Sequence, residues 1–198
     1  ALLWVWIGLM NPHRLGWGFA YSIPFALMSV GVLVISMLAN PKDVRWPSSG
    51  PIRMFILFAV WMGLTTAFAI HREDSTNMYL NVIKVMVMTL GVAAVVRTRE
   101  EILGLVSVIA LSLAYYGAKG GWFTLVTGGA FRVWGPPSTV IEGNNELAVG
   151  LIITIPLLYY MVLQADKLLV LPWLEKIGIK WLKRSIVILM LLCAISAI

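Results

Sequence analysis

Lys84 is an ionisable side chain inside an apolar stretch, and its neighbours suggest what chemistry it could do. A charged group within a membrane-spanning run costs several kcal/mol or so unless it is paired, hydrated or able to reach the membrane surface. Asn77 and Asn81 precede it by seven and three residues, so both amides share its face on a helix. The stripe predicts either a cavity that holds a lipid phosphate or a lysine that extends to the headgroups.

Residues 119–145 form a second candidate region, because they combine glycine pairs, aromatic residues and basic residues. Such a long connection between apolar runs is often functional. Its glycines let backbone approach a ligand closely, and Arg132 offers a fork of donors that matches phosphate, with Lys119 nearby in the sequence. The alternative is that the glycines make turns and that Trp122 and Trp134 form an interfacial aromatic belt. Residue types alone favour this alternative.

Two further polar residues lie where residues 119–145 meet the next apolar run. Asn145 is predicted to cap that helix, with Glu146 in its first turn complementing the helix dipole. The same helix start could instead present backbone N–H groups to an anion. Glu142 is predicted to pair with Arg132 or to act on a substrate hydroxyl, and pairing is the commoner role.

Other chemistries have little support in the sequence. Two histidines, His13 and His71, and the lone Cys193 are too few for a histidine or cysteine metal centre. No phosphate-binding loop ending in Lys-Ser or Lys-Thr and no dinucleotide fingerprint occurs. The net charge of +6 comes without any nucleic-acid-binding signature. We therefore expect no metal, no cofactor and no nucleic acid.

The elements that must position these residues are membrane helices. Of the 198 residues, 60% are hydrophobic and 12% charged, which excludes a water-soluble globular protein. An all-α polytopic membrane protein with about seven transmembrane helices is predicted, because a bilayer-spanning helix needs roughly 17 to 25 apolar residues. The apolar runs are 1–10, 17–39, 52–70, 78–96, 102–118, 146–164 and 185–198. The short first and last runs predict that 1–198 is a fragment of a larger membrane protein.

The distribution of basic residues predicts the orientation of these helices. Loops after the second, fourth and sixth runs carry ten of the 15 Lys and Arg residues, and the other loops carry four. The positive-inside rule then places 119–145 on the side of the membrane away from the cytoplasm. Residues 165–184 alternate apolar and basic faces at helical spacing, which predicts an amphipathic helix in the cytoplasmic interface, in contact with anionic membrane lipids.

Three segments carry a resemblance to a known family. They are NPHRLGWG at 11–18, KGGWFTLVTGG at 119–129 and RVWGPPSTVIEGNNELA at 132–148. Together they resemble the O-antigen ligase (WaaL-like) and Wzy polymerase superfamily, nearest the putative O-glycosylation ligases associated with exosortase systems. An outward Arg, a Gly and an Asn-x-Leu-Ala-like helix start recur there, and Arg132, Gly135 and Asn145 fit that pattern.

The resemblance implies a metal-independent glycosyltransferase in the bacterial inner membrane with its site facing the periplasm. It also implies that 1–198 is the N-terminal transmembrane half of this enzyme and that 119–145 is a periplasmic loop. The donor would be a glycan on undecaprenyl pyrophosphate, and the acceptor lipid A-core or another glycan acceptor. The catalytic histidine of that family lies in a later periplasmic loop, so it is expected beyond residue 198. This half would bind the donor, with Arg132 assisted by Lys84 and Lys119, and with Asn81, Glu142 and Asn145 as further candidates.

Two alternatives remain open at this point. A Wzy-type polymerase would use the same donor but transfer the glycan to another lipid-linked repeat, and no residue of this half separates the two enzymes. A lipid-linked glycan transporter or flippase would instead use Lys84 along a pathway through the membrane. No obvious inverted repeat supports the transporter.

Overall fold

The structure, a computed structural model, describes residues 1–12, 25–46, 48–137, 139, 141–168 and 178–197. This part of the chain is helical and contains no strand. A short 3-10 turn, Pro41–Asp43, follows the second helix. The helices are α1 (Leu2–Met10), α2 (Phe25–Ala39), α3 (Gly50–Ala67), α4 (Arg72–Val95), α5 (Arg99–Thr127), α6 (Asn144–Leu163), α7 (Ala165–Leu168) and α8 (Ile179–Ser196).

Four helices, α3 to α6, are long and apolar enough to cross a membrane. This finding confirms the prediction of an all-helical membrane protein. The apolar part of α2 is shorter, and α8 carries Lys180, Lys183 and Arg184 in its first two turns. No residue of α3 is buried, although the helix is apolar enough to cross a membrane. An apolar helix without buried residues is expected where lipid surrounds it.

One compact unit contains residues 27–98, which include most of α2 and all of α3 and α4. Three hydrogen bonds hold its connections. The Arg45 backbone N–H donates to the Ala94 carbonyl at 3.2 Å, and the Arg72 guanidinium donates to the Ala67 carbonyl through Nε (3.2 Å) and Nη2 (2.9 Å). The two bonds from Arg72 satisfy a carbonyl at the end of α3 that has no helical partner.

The other compact unit contains residues 2–26 and 99–198 and holds a core built by α5, α6 and α8. Leu147, Leu151 and Leu158 of α6 are almost fully buried in it, together with Ala110 and Cys193. Helix α1 packs against α5 in the same unit. The core is thus a three-helix arrangement with α1 on its flank.

Small residues on α5 allow α8 to come very close. A Cβ at Gly121 would meet the Leu192 carbonyl oxygen, and one at Gly117 would meet the Cys193 side chain. Both glycines are buried. Close backbone approach at small residues is a common way for membrane helices to associate, since apolar burial gives little driving force within lipid.

This packing corrects the boundary predicted for the outer loop. Residues 119–127 are the last turns of α5, so the non-helical connection between α5 and α6 covers 128–143 rather than 119–145. Gly120 and Gly121 were interpreted as loop glycines. They are instead buried helical residues, and their missing side chains make room for Ser196 and Leu192 of α8.

The interfacial helix predicted over 165–184 is observed only in part. Helix α7 covers its first four residues, and residues 169–177 lie outside the described part of the chain. Its basic end forms the start of α8, where the Arg184 guanidinium lies 5.5 Å from the Trp181 ring centroid. The last basic residues therefore begin the same helix that contains the predicted final apolar run.

Candidate functional site

The chain reverses direction immediately after α5. Gly128 and Gly129 both have positive φ angles, +62° and +77°, which glycine adopts without steric cost. The Gly129 N–H donates to the Thr124 carbonyl at 3.0 Å, and the Ala130 N–H donates to the Thr127 carbonyl at 3.3 Å. Both bonds satisfy carbonyls at the helix end. The turn directs residues 131–137 toward the last turns of α5.

A cavity of about 490 Å³ lies between the end of α5 and residues 132–137. Tyr116, Lys119, Trp122 and Phe123 of α5 form one side of it. The opposite side comes from Arg132 through Pro137. The structure thus brings two sequence-predicted site residues, Lys119 and Arg132, to one cavity although they lie in different elements.

The cavity is positively charged. Among the described residues, Lys119 and Arg132 are its only ionisable lining groups apart from the Tyr116 phenol, and no carboxylate of this part of the chain lines it. Within the described residues, neither basic side chain has a hydrogen-bond or ion-pair partner. Two uncompensated cations beside one cavity favour a ligand with clustered negative charge, such as a phosphate or pyrophosphate.

Aromatic side chains supply the apolar part of the cavity. Trp122 and Trp134 are 67% and 62% exposed, so their ring faces are available to a ligand. The Phe123 and Phe131 ring centroids lie 6.3 Å apart at a tilt of 43°, and Phe123 also lines the cavity. Tryptophan is typical of the level at which membrane meets water, and its flat face can also pack against a sugar ring.

A backbone hydrogen bond at Gly135 joins the segment that carries Arg132 to the residues just before α6. The Gly135 N–H donates to the Glu142 carbonyl at 2.9 Å, and within the closed loop the Thr139 hydroxyl donates to the Pro136 carbonyl at 2.7 Å. A Cβ at position 135 would overlap the Ile141 carbonyl oxygen. Any side chain there forces two backbone segments apart.

We expect Gly135→Ala to weaken ligand binding in this cavity more than it lowers overall stability. The added methyl opens the 135–142 closure and displaces Arg132 and Trp134, whereas the buried core of α5, α6 and α8 lies elsewhere. Limited proteolysis should show faster cleavage within 128–143, and thermal unfolding should change little. Gly128→Asn is a useful comparison, because Asn tolerates the left-handed conformation and no atom lies within 4 Å of a Cβ there. Equal proteolysis of Gly135→Ala and the unmodified chain would contradict the expectation.

Glu142 and Asn145 do not line the cavity. Both side chains are exposed, and Arg132 and Glu142 are not joined by an ion pair among the described residues. The capping prediction for Asn145 is wrong, because Gly143 occupies the N-cap position and the helix begins at Asn144. The Asn145 side-chain oxygen instead accepts a long 3.5 Å bond from the Asn144 amide.

The helix start is occupied by a carboxylate of its own. Glu146 turns back so that a Cβ at Gly143 would meet its Oε2 atom. This position three residues after the N-cap is the one from which an acid reaches back toward the first turn. An external anion at this helix start would therefore meet the negative charge of Glu146.

Lys84 and Asn81 belong to the other compact unit, which contains residues 27–98. Both are exposed on α4, as is Asn77, so the predicted polar stripe is present on one side of that helix. Met88, the apolar residue one turn after Lys84, is buried. Neither Lys84 nor Asn81 lines the cavity of Lys119 and Arg132.

Tyr116 is a cavity residue that sequence reasoning missed. Its ring lines the cavity, and its hydroxyl donates a hydrogen bond to the Met10 carbonyl at the end of α1. Its ring also makes an edge contact with Tyr115, with centroids 5.4 Å apart. Its position in the apolar run 102–118 could have indicated a contact, because a buried tyrosine needs a hydrogen-bond partner for its hydroxyl.

No group of three or more His, Cys, Asp or Glu residues that could hold a metal occurs in the described part of the chain. The sequence profile of DUF5935, described as a family of unknown function, matches residues 1–166. No curated protein matches the chain, and no solved structure matches it.

Proposed function

We propose that this chain, which belongs to the DUF5935 family, is the donor-binding half of an O-antigen ligase-type glycosyltransferase. Its donor is a glycan carried on undecaprenyl pyrophosphate, and its acceptor is lipid A-core or another glycan acceptor. The reaction needs no nucleotide sugar, metal or other cofactor. The proposal combines the resemblance of three sequence segments with the chemistry of one cavity.

The observation that carries the proposal is the pairing of Lys119 with Arg132 in the aromatic-walled cavity. A lipid-linked pyrophosphate presents two adjacent phosphates and a sugar. The two cations suit the phosphates, and the exposed faces of Trp122 and Trp134 suit the sugar. Lys84 and Asn81 remain secondary candidates, because they lie in the other compact unit.

In the proposed reaction, the bond between the anomeric carbon of the glycan and a phosphate oxygen breaks. The electron pair stays on that oxygen, and the Arg132 guanidinium and Lys119 ammonium stabilise the charge that develops there. The acceptor hydroxyl oxygen forms the new glycosidic bond and loses its proton to a general base. The resemblance assigns this base to a histidine beyond residue 198.

The proposed topology has seven crossings, with the 128–143 connection and the cavity facing the periplasm of a bacterial inner membrane. The distribution of Lys and Arg among the loops supports this orientation. Four of the crossings correspond to α3 to α6, and α1, α2 and α8 would supply the others. Cysteine labelling from the periplasm tests it: Gly129→Cys should react with an impermeant reagent and Lys42→Cys should not.

A transfer assay tests the function directly. The full-length protein is placed in liposomes with undecaprenyl-pyrophosphate glycan and lipid A-core, without nucleotide or added metal. Glycosylated lipid A-core is the expected product. Longer lipid-linked chains without it would indicate the polymerase instead. Movement of the donor across the bilayer with its glycosidic bond intact would favour a transporter, and either result would overturn the ligase proposal.

A further inference from the structure

A second cavity, of about 410 Å³, lies between the last turns of α3 and the first turns of α4. Both helices belong to the unit of residues 27–98, and the Arg72 guanidinium holds the two together through the Ala67 carbonyl. Tyr79 lies across α3 at Gly63, where a Cβ would come within 2.9 Å of its hydroxyl. The cavity therefore has two fixed walls. Its polar lining residues are Thr65, Thr66, Asp74, Ser75 and Tyr79.

Three of the five polar lining residues present hydrogen-bond acceptors, and the Ser75 and Tyr79 hydroxyls can both donate and accept. The Thr65 and Thr66 hydroxyls both donate to the Met62 carbonyl, at 3.0 and 2.7 Å, so their oxygens are left to accept. Asp74 is a carboxylate and accepts only. Among the described residues, no Lys or Arg lines the cavity, and the exposed Asp74 carboxylate has no hydrogen-bond or ion-pair partner. These acceptors favour a ligand that supplies N–H donors and positive charge.

The remaining lining residues exclude several cations. Hard metal ions such as Ca²⁺ require six or more oxygen ligands, usually including several carboxylates, whereas Asp74 is the one carboxylate among the described lining residues. A quaternary ammonium group has no N–H to donate and prefers a cage of several aromatic rings, whereas Tyr79 is the one aromatic residue in the same described lining. Met62 and Met78 provide polarizable apolar contacts beside the acceptors. A primary ammonium group satisfies all of these features.

We propose that this cavity binds a primary ammonium group, supplied by the ethanolamine headgroup of a membrane phospholipid. The cavity is formed where two candidate membrane-spanning helices end and begin, α3 at Ala67 and α4 at Arg72. The ends of spanning helices lie at the level of the headgroups. The proposal is independent of the glycosyltransferase proposal, which concerns a different cavity in the other unit.

Native mass spectrometry of the full chain in detergent tests the proposal with three added lipids of identical acyl chains. Phosphatidylethanolamine should be retained in preference to phosphatidylcholine, which lacks N–H donors, and to phosphatidylglycerol, which lacks the cation. Asp74→Asn should weaken retention of phosphatidylethanolamine by roughly tenfold or more, since hydrogen bonds to charged groups are among the stronger ones. Glu73→Gln is the matched control, because Glu73 is exposed beside Asp74 but does not line the cavity.

Two further measurements identify the source of the ammonium group and keep the test valid if Asp74→Asn misfolds. Thr66→Val removes one acceptor without changing the size of the side chain and should also weaken retention. If free ethanolamine is the better ligand, it should bind the unmodified chain but not Asp74→Asn, and the three lipids should be retained equally. That result would support the ammonium site and assign it to a soluble amine. Equal retention of all three lipids without ethanolamine binding, or full retention by Asp74→Asn, would overturn the proposal.

Discussion

Arg132→Ala should lower the turnover of glycan transfer by a factor on the order of a hundred or more, measured with full-length protein in liposomes. The guanidinium lines the cavity, and the described part of the chain supplies it with no partner, so its charge is available to the pyrophosphate. A guanidinium that acts mainly when charge develops on the leaving phosphate affects turnover more than substrate affinity. Initial rates measured at a saturating concentration of the lipid-linked glycan separate the effect on turnover from the effect on affinity.

Two companion variants make this result specific. Arg132→Lys keeps the charge but loses the fork of donors, so it should recover part of the activity. Lys42→Ala removes an exposed basic residue far along the chain from the cavity, beside the turn Pro41–Asp43, and should leave transfer unchanged. Wild-type turnover in Arg132→Ala would show that Arg132 does not stabilise the leaving group.

Gly121→Ala should cause the largest loss of stability among single methyl additions to α5. Its Cβ would meet the Leu192 carbonyl oxygen, which is backbone and cannot rotate away as a side chain can. Inserting a methyl group into a well-packed contact costs about 1–3 kcal/mol. The cost here should lie at the upper end of that range or above it, because α5 and α8 must separate. Unfolding of the purified chain in mixed detergent micelles measures it.

Gly104→Ala provides the matched control on the same helix. The nearest atom to a Cβ at Gly104 is the Leu2 Cδ1 atom at 3.5 Å, an ordinary van der Waals contact. Alanine also has the higher helix propensity, so this variant should be neutral or slightly stabilising. Equal destabilisation by the two substitutions would mean that the α5–α8 contact is not as close as described.

The helical membrane class was predictable because long apolar runs have few structural solutions in lipid. The ends of helices were less predictable. Asn145 has the side chain of a good N-cap, yet the N-cap of α6 lies two residues earlier, at Gly143, and has no side-chain hydrogen bond. The signal that would have found this end is the spacing between Gly143 and Glu146, since Glu146 reaches back to the first turn from three residues away.

The candidate site was predictable as residues but not as an arrangement. Lys119 and Arg132 are 13 positions apart, and their types alone suggested phosphate binding. Their common cavity depends on α5 continuing to Thr127 and on the reversal at Gly128 and Gly129, which local sequence did not distinguish from an irregular loop. Gly120 and Gly121 show why: a glycine pair is a turn signal by propensity, and only the neighbouring α8 makes it a helical contact.

The length of α5 sets the depth of the cavity in the membrane. With a rise of 1.5 Å per residue, about 30 Å of helix separates Arg99 at its start from Lys119, which matches the hydrocarbon thickness of a typical bilayer. If Arg99 lies at one surface with the helix upright, Lys119 lies at the opposite surface, and the turns to Thr127 project into the headgroup layer. A polyprenyl chain would stay in hydrocarbon while its phosphates meet Lys119. If the proposed donor binds here, the length of α5 would set the height in the bilayer at which its phosphates are held.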